Sequence, residues 1–233
     1  YVATGGSDSS PGTEAQPWQT VQKAADTMVA GDTVHIRAGT YRERVSPQNS
    51  GDEGAYITYA AYPGESVTLD GTGVDIPEWS GLFDITNRSY IRVSGLRVAN
   101  ALTNPHNPGI LADTCDHILI ENNTVYRTND SGIAAWTCSD VVIDGNTVEK
   151  ACEAMWNECI TVGNTAHFEV KNNLVFDSAK EGICLKDGSY DGSAHHNEVH
   201  HTGAVGFYVD AQAVHTHDIE VYDNVSRDGV EDG

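Results

Sequence analysis

Three stretches, "ILIENNTV" at 118–125, "VVIDGNTV" at 141–148 and "FEVKNNLV" at 168–175, share one pattern. Apolar residues alternate, and an asparagine falls at the sixth place. The same frame fits "IRVSGLRV" (91–98), "GSAHHNEV" (192–199) and "IEVYDNVS" (219–226). Its sixth place reads Leu96, Asn123, Asn146, Asn173, Asn197 and Asn224, in steps of 27, 23, 27, 24 and 27 residues. A second series follows the first: Gly109, Gly132, Cys159, Gly182, Gly206 and Gly233. Two interleaved series with one period identify an internal repeat of about 25 residues.

Within each repeat the apolar residues alternate, as in Ile118 and Ile120, Phe168 and Val170, Ile183 and Leu185, Phe207 and Val209. Period two means strands with one face turned inward. Strands this short cannot bury a face alone, but stacked coils about 4.8 Å apart bury it collectively. The expectation is an all-β solenoid of parallel strands, in which equal places of successive coils lie over one another. The asparagines Asn123, Asn146, Asn173, Asn197 and Asn224 then form an internal ladder, each amide bonding its neighbours above and below.

The chain carries 34 acidic and 13 basic residues, a formal charge of -21. Such a surface repels nucleic acid and anionic membranes and attracts cations such as calcium. No apolar run reaches the length of a membrane span. The sequence opens on Tyr1 without a signal-peptide pattern, as expected of a chain trimmed after export. It stops on Gly233, the place that opens a further strand, so the expectation at that end is a longer protein or cover by another chain. Five cysteines in an exported chain point to disulfides. Cys115 and Cys138 each lie six residues after a repeat glycine and stack on neighbouring coils, and Cys152 and Cys159 bracket a four-residue insertion, "ACEAMWNEC". These are the two expected pairs, leaving Cys184 as an outward or groove thiol.

The segment "YVATGGSDSSPGTEAQPWQTVQKAADTMVAGDTVHIRAGTYRERV" resembles the start of secreted right-handed parallel β-helix proteins related to polysaccharide lyases. The resemblance implies a single right-handed parallel β-helix domain over 1–233. Its capping segment covers about 1–45, with a short helix near Trp18 to Met28, and its repeats cover about 46–233. A cap is needed physically, because an open solenoid end exposes unpaired strand edges and apolar core.

Counting from each repeat glycine, offsets one and three point inward, so offsets two and four form an outward stripe. Offset four holds Asp113, Trp136, Gly163, Lys186 and Asp210, and offset two holds Leu111, Ala134, Thr161, Cys184 and Tyr208. Lys186 and Asp210 are therefore expected roughly 5 Å apart on neighbouring strands. Trp136 and Asp113 are candidate contacts to a sugar chain, the indole stacking on a sugar face. Lyases of this fold remove a proton next to a uronate carboxylate, which needs a base and a positive charge. Carried over by resemblance, Lys186 is the candidate base, with Tyr208 beside it. Asp187, Asp191 and Asp210 are the candidate ligands for Ca2+, which bridges an acidic protein to an acidic polymer. The competing reading of Lys186 and Asp210 is a cross-strand ion pair without chemistry. The histidines His195, His196, His200, His201, His215 and His217 fall on different faces and read as surface residues. The sequence lacks the "WIDH", "RxPxxR" and "NTDG" signatures of well-known pectin-active subfamilies.

The functional expectation is a secreted, calcium-assisted lyase-like protein acting on an acidic, uronate-containing polysaccharide. The alternative is a non-catalytic adhesin or structural solenoid that stacks end to end.

Overall fold

The repeat places each position of one coil directly over the same position of the next. In the computed structural model, which describes residues 1–211 and 214–230, this produces three parallel sheets of eight, eight and six strands. Gly233, the last member of the glycine series, lies outside the described residues. Registers follow the sequence alignment. Ile91, Ile118, Val141 and Phe168 pair in order along the first sheet. Val98, Val125, Val148, Val175 and Val199 pair along the second, and Ile110, Ile133, Ile160, Ile183 and Phe207 along the third. Nearly all of these side chains are buried in one continuous core. Burial of each such side chain stabilises the fold by about 1.5–3 kcal/mol.

One left-handed residue turns the chain from the first sheet to the second in six successive coils. Gly95, Asn122, Gly145, Asn172, His196 and Asp223 all have φ between 52° and 74° there. Glycine, asparagine, aspartate and histidine are the types that tolerate this region best. The next residue is the ladder position. Asn146 Oδ1 accepts from the Asn123 backbone N–H (2.9 Å) and from Asn123 Nδ2 (3.1 Å). Asn146 Nδ2 in turn donates to Ile120 O (2.9 Å) and Asn173 Oδ1 (3.0 Å). Equivalent bonds join Asn173 to Asn197 and Asn197 to Asn224. The five asparagines form the expected column.

The glycine series has a spatial cause. A Cβ on Gly132 would stand 2.4 Å from Val148 Cγ1, and one on Gly182 would stand 2.4 Å from Val199 Cγ1. The valine column of the second sheet fills the space a side chain would need.

The capping helix, Val21–Thr27, is shorter than the span expected from the sequence. Thr20 caps it, accepting from the Lys23 N–H, and the Glu43 carboxylate accepts from the N–H groups of Val21 and Gln22 at 2.9 Å each. Trp18 stays outside the helix, its Nε1 donating to Ser10 O. Val21, Ala24, Ala25 and Met28 close the core at this end. Among the described residues, no helix is long and apolar enough to cross a membrane.

The expected disulfides are replaced by buried free thiols at Cys115, Cys138, Cys152 and Cys159. Cys115 and Cys138 do stack, but they belong to a second column of short polar side chains. Cys115 Sγ donates to Ile85 O and Cys138 Sγ to Ala112 O, as Thr165 Oγ1 does to Ala135 O and Ser189 Oγ to Val162 O. Each thiol already has a backbone partner one coil back. Cys152 and Cys159 do approach, with sulfurs 3.9 Å apart. Cys184, expected as an outward or groove thiol, stands on the outward row of its strand between Thr161 and Tyr208 and is fully buried there.

Asn146→Ala should lower the unfolding free energy by about 3 kcal/mol, because two buried donors of Asn123 lose an acceptor. Urea denaturation of the two proteins measures this.

Candidate functional site

Loop lengths decide where the surface opens. The arc from second to third sheet takes 13 residues from Leu96 to Gly109 and 13 from Asn146 to Cys159. Between them, Asn123 to Gly132 takes only nine. The two long arcs stand proud, and the short one leaves a notch. It is a cleft of about 380 Å³ lined by Trp79, His106, Asp113, Asp130, Trp136 and Trp156 among others.

Its floor is the outer face of the third sheet. Asp113, Trp136, Gly163, Lys186 and Asp210 pair in register, as do Leu111, Ala134, Thr161, Cys184 and Tyr208. Gly163 is required by its neighbour, since a Cβ there would stand 2.1 Å from Trp136 Cζ3. The indole thus lies flat across the next coil and reaches Lys186, whose Nζ sits 5.4 Å from the ring centre. At that distance a cation is attracted to the ring face.

The 152–159 loop covers this floor and supplies a closed polar circuit. Lys186 Nζ pairs with Glu158 Oε2 at 3.0 Å and donates to Asn157 Oδ1 at 3.3 Å. Asn157 Nδ2 donates to Asp130 Oδ2 at 3.2 Å, and the Ser131 N–H donates to Asp130 Oδ1 at 2.8 Å. Thr161 Oγ1 closes the circuit, 2.9 Å from Ser131 Oγ and 3.1 Å from Glu158 Oε2. Glu158 and Asp130 are buried. Burial disfavours the Lys186 ammonium, but the charge and hydrogen bond of Glu158 outweigh it and hold its pKa above the usual lysine value. Burial pushes the Asp130 carboxyl up, against the bonds from Ser131 and Asn157. The Tyr208 hydroxyl is also pushed up, first by the charge of Asp210 and then by burial.

Lys186 and Asp210 are neighbours as expected, and Glu158 from the covering loop is an ion-pair partner of the lysine. The three aspartates expected to hold calcium do not converge. Asp187 sits in the turn after the strand Ile183–Lys186, with φ of 53°. Asp191 lies on the first sheet, 3.7 Å from His167 Nε2. Among the described residues no three acidic, histidine or cysteine groups gather as a metal site.

Sequence reasoning missed His106, Asp130, Trp79, Trp156 and Asn157. For His106, Trp156 and Asn157 the signal was present in the unequal steps: the long arcs carry "TNPHNPG" (103–109) and "EAMWNEC" (153–159), each with chemistry-bearing residues inside an insertion.

A parallel β-solenoid with an aromatic, carboxylate-lined cleft on one sheet face is the architecture of a right-handed β-helix. The model of the Pel9A-like, right-handed β-helix region matches residues 1–154, and that of the right-handed β-helix region matches 80–230. The chain belongs to the Pel9A-like right-handed β-helix family. It is 33% identical over 130 residues to the uncharacterized protein YwoF of Bacillus subtilis, covering 54% of this chain and 28% of that one. It is 42% identical over 73 residues to pectate lyase PEL9 of Emericella nidulans, covering 30% and 18%. The chain thus matches less than a third of the length of either relative. The GH136 lacto-N-biosidase of Eubacterium ramulus superposes with a TM-score of 0.61 at 12% identity, over 97% of this chain and 55% of that one.

Glu158→Gln removes the strongest influence that raises the Lys186 pKa, while burial, which lowers it, remains. The lysine should therefore titrate at lower pH, as followed by carbon NMR of its ε-methylene. Asp130→Asn has a signed effect on stability. A carboxyl whose folded pKa is raised favours the fold below its unfolded pKa, and that contribution is lost as pH rises through the folded value. The variant should therefore gain in Tm relative to the parent at neutral pH and lose that gain in acid.

Proposed function

We propose that this protein binds an acidic polysaccharide outside the cell along the outer face of its third sheet and cleaves it by β-elimination. The observation that carries this reading is the Lys186 ammonium held over Trp136 beside a tryptophan-lined cleft. A sugar ring offers an apolar face to indoles, and a uronate carboxylate needs a fixed positive charge as its neighbouring carbon loses a proton. Lys186 offers that charge. Its pairing with Glu158 makes it a protonated group in the free protein, so it suits the substrate carboxylate better than the role of base. Asp113 and Tyr208 flank the path of the chain on the same two rows. Kinship with a pectate lyase over part of the chain supports the same class of reaction.

Calcium enters this reading without a dedicated cage. Asp187, Asp191 and Asp210 are too dispersed to fit one, so no step is assigned to the ion. A soluble cation between two polyanions still favours their encounter, given a protein charge of -21.

A second reading rests on Asp130 and Glu158. Burial pushes the Asp130 carboxyl up, the Glu158 carboxylate pairs with Lys186, and both join one circuit around Asn157. A pair of carboxyl groups in different surroundings is the equipment of glycoside hydrolysis.

Pectate, alginate and glycosaminoglycans incubated with the protein, with calcium and with chelator, separate these readings. Elimination should produce unsaturated-sugar ultraviolet absorbance, and Lys186→Ala should remove most of it. New reducing ends without that absorbance would establish hydrolysis instead. Binding with neither product would leave a non-catalytic adhesin.

A further inference from the structure

We propose that His106 is the proton acceptor of the cleft, oriented by Glu78 and enclosed between Trp79 and Trp156. Its ring lies 3.7 Å from that of Trp79, tilted 12°, and 4.4 Å from that of Trp156. His106 Nδ1 is 2.9 Å from Glu78 Oε1. A carboxylate only accepts, so Nδ1 carries the hydrogen and Nε2 presents its lone pair. His106 Nε2 is buried with no hydrogen-bond partner, on a side chain only 10% exposed. A buried polar atom without a partner is costly. Nε2 is thus an unpartnered acceptor on a ring that lines the cleft.

The surroundings are built to hold it. Asn107, fully buried, donates from Nδ2 to Pro77 O (2.7 Å) and Ser80 O (3.0 Å), and its Oδ1 accepts from the Asn104 N–H at 2.7 Å. Asn104 Nδ2 donates to Ile76 O. These bonds stitch the His106 loop to the Trp79 loop, so ring and indole are positioned before any ligand arrives. The titratable groups facing the cleft beside His106 are Glu78, Asp113 and Asp130.

This assignment rests on the β-elimination reading. Nε2 takes the proton from the carbon next to the uronate carboxylate. The released electron pair forms a carbon–carbon double bond, and the bond to the glycosidic oxygen breaks with its pair on oxygen. That oxygen takes a proton from the Asp130 carboxyl or from water, and His106 later returns its proton to solvent. The charge of Lys186 faces the carboxylate throughout.

The test compares the parent with His106→Gln and Glu78→Gln on pectate and alginate oligomers, with Tm measured for each. His106→Gln should keep its Tm within a few degrees and lose about a hundred- to ten-thousand-fold in kcat with KM within a few-fold. The fall in rate that protonation of Nε2 imposes on the acid side should vanish from its residual activity, which a packing role would not produce. Glu78→Gln, at a half-exposed position, should fold normally and lose roughly ten-fold. Full activity of His106→Gln overturns the assignment and leaves elimination intact. If the parent eliminates nothing, the lyase reading fails, and nitrogen NMR of labelled histidine decides separately. A hydrogen on Nδ1, with the Nε2 signal moving on addition of the oligomers, sustains His106 as the ligand-facing acceptor. A hydrogen on Nε2, or a signal that does not move, overturns it.

Discussion

Everything in this molecule depends on register. A parallel solenoid has no hairpins to fix which residue meets which, so the alignment of one coil on the next must be set locally in every turn. The left-handed residue at the first corner and the asparagine after it do this together. The corner residue turns the chain. The asparagine then engages both the backbone N–H and the amide of the coil before it, and no other side chain of that length satisfies both with one oxygen while donating in two directions. A slip by one residue would expose the valine and isoleucine columns and bury the outward rows.

Fixed register is also what makes a site of a flat sheet. Trp136 and Lys186 are two coils apart, and the glycine between them lets an indole span the gap. The circuit through Glu158, Asn157, Asp130, Ser131 and Thr161 encloses two buried carboxyls and one ammonium with hydrogen bonds around the ring. Removing one member leaves another charged or polar group buried without its partner, so the site is costly to the fold as well as specific in its chemistry.

The architecture was legible because periodicity is written in residue types that have one job each. Asparagine for the ladder, glycine under the valine column and alternating aliphatics for the core are each forced by space or hydrogen bonding, and all repeat. The stripe of Trp136, Lys186 and Asp210 followed by counting. The cleft was not legible in the same way. His106, Trp156 and Asn157 sit on insertions, where no period applies and where the direction of a side chain depends on what the loop folds over. Glu158, an ion-pair partner of Lys186, sits on such a loop. The thiols of Cys115 and Cys138 misled for a related reason. Stacking was read as pairing, when the column they occupy is one of side chains bonding to backbone.

Two long arcs with a short one between them define the opening, and their lengths differ by four residues. The rigid barrel does not change when an arc grows or shrinks, since each arc leaves and re-enters the stack at fixed points. Substrate preference in such a scaffold is then a matter of skyline: lengthening the arc over 124–131 would wall off the present opening, and trimming its neighbours would erase it. A lineage can thus relocate its working surface up or down the axis by small insertions and deletions, with the spine beneath left untouched.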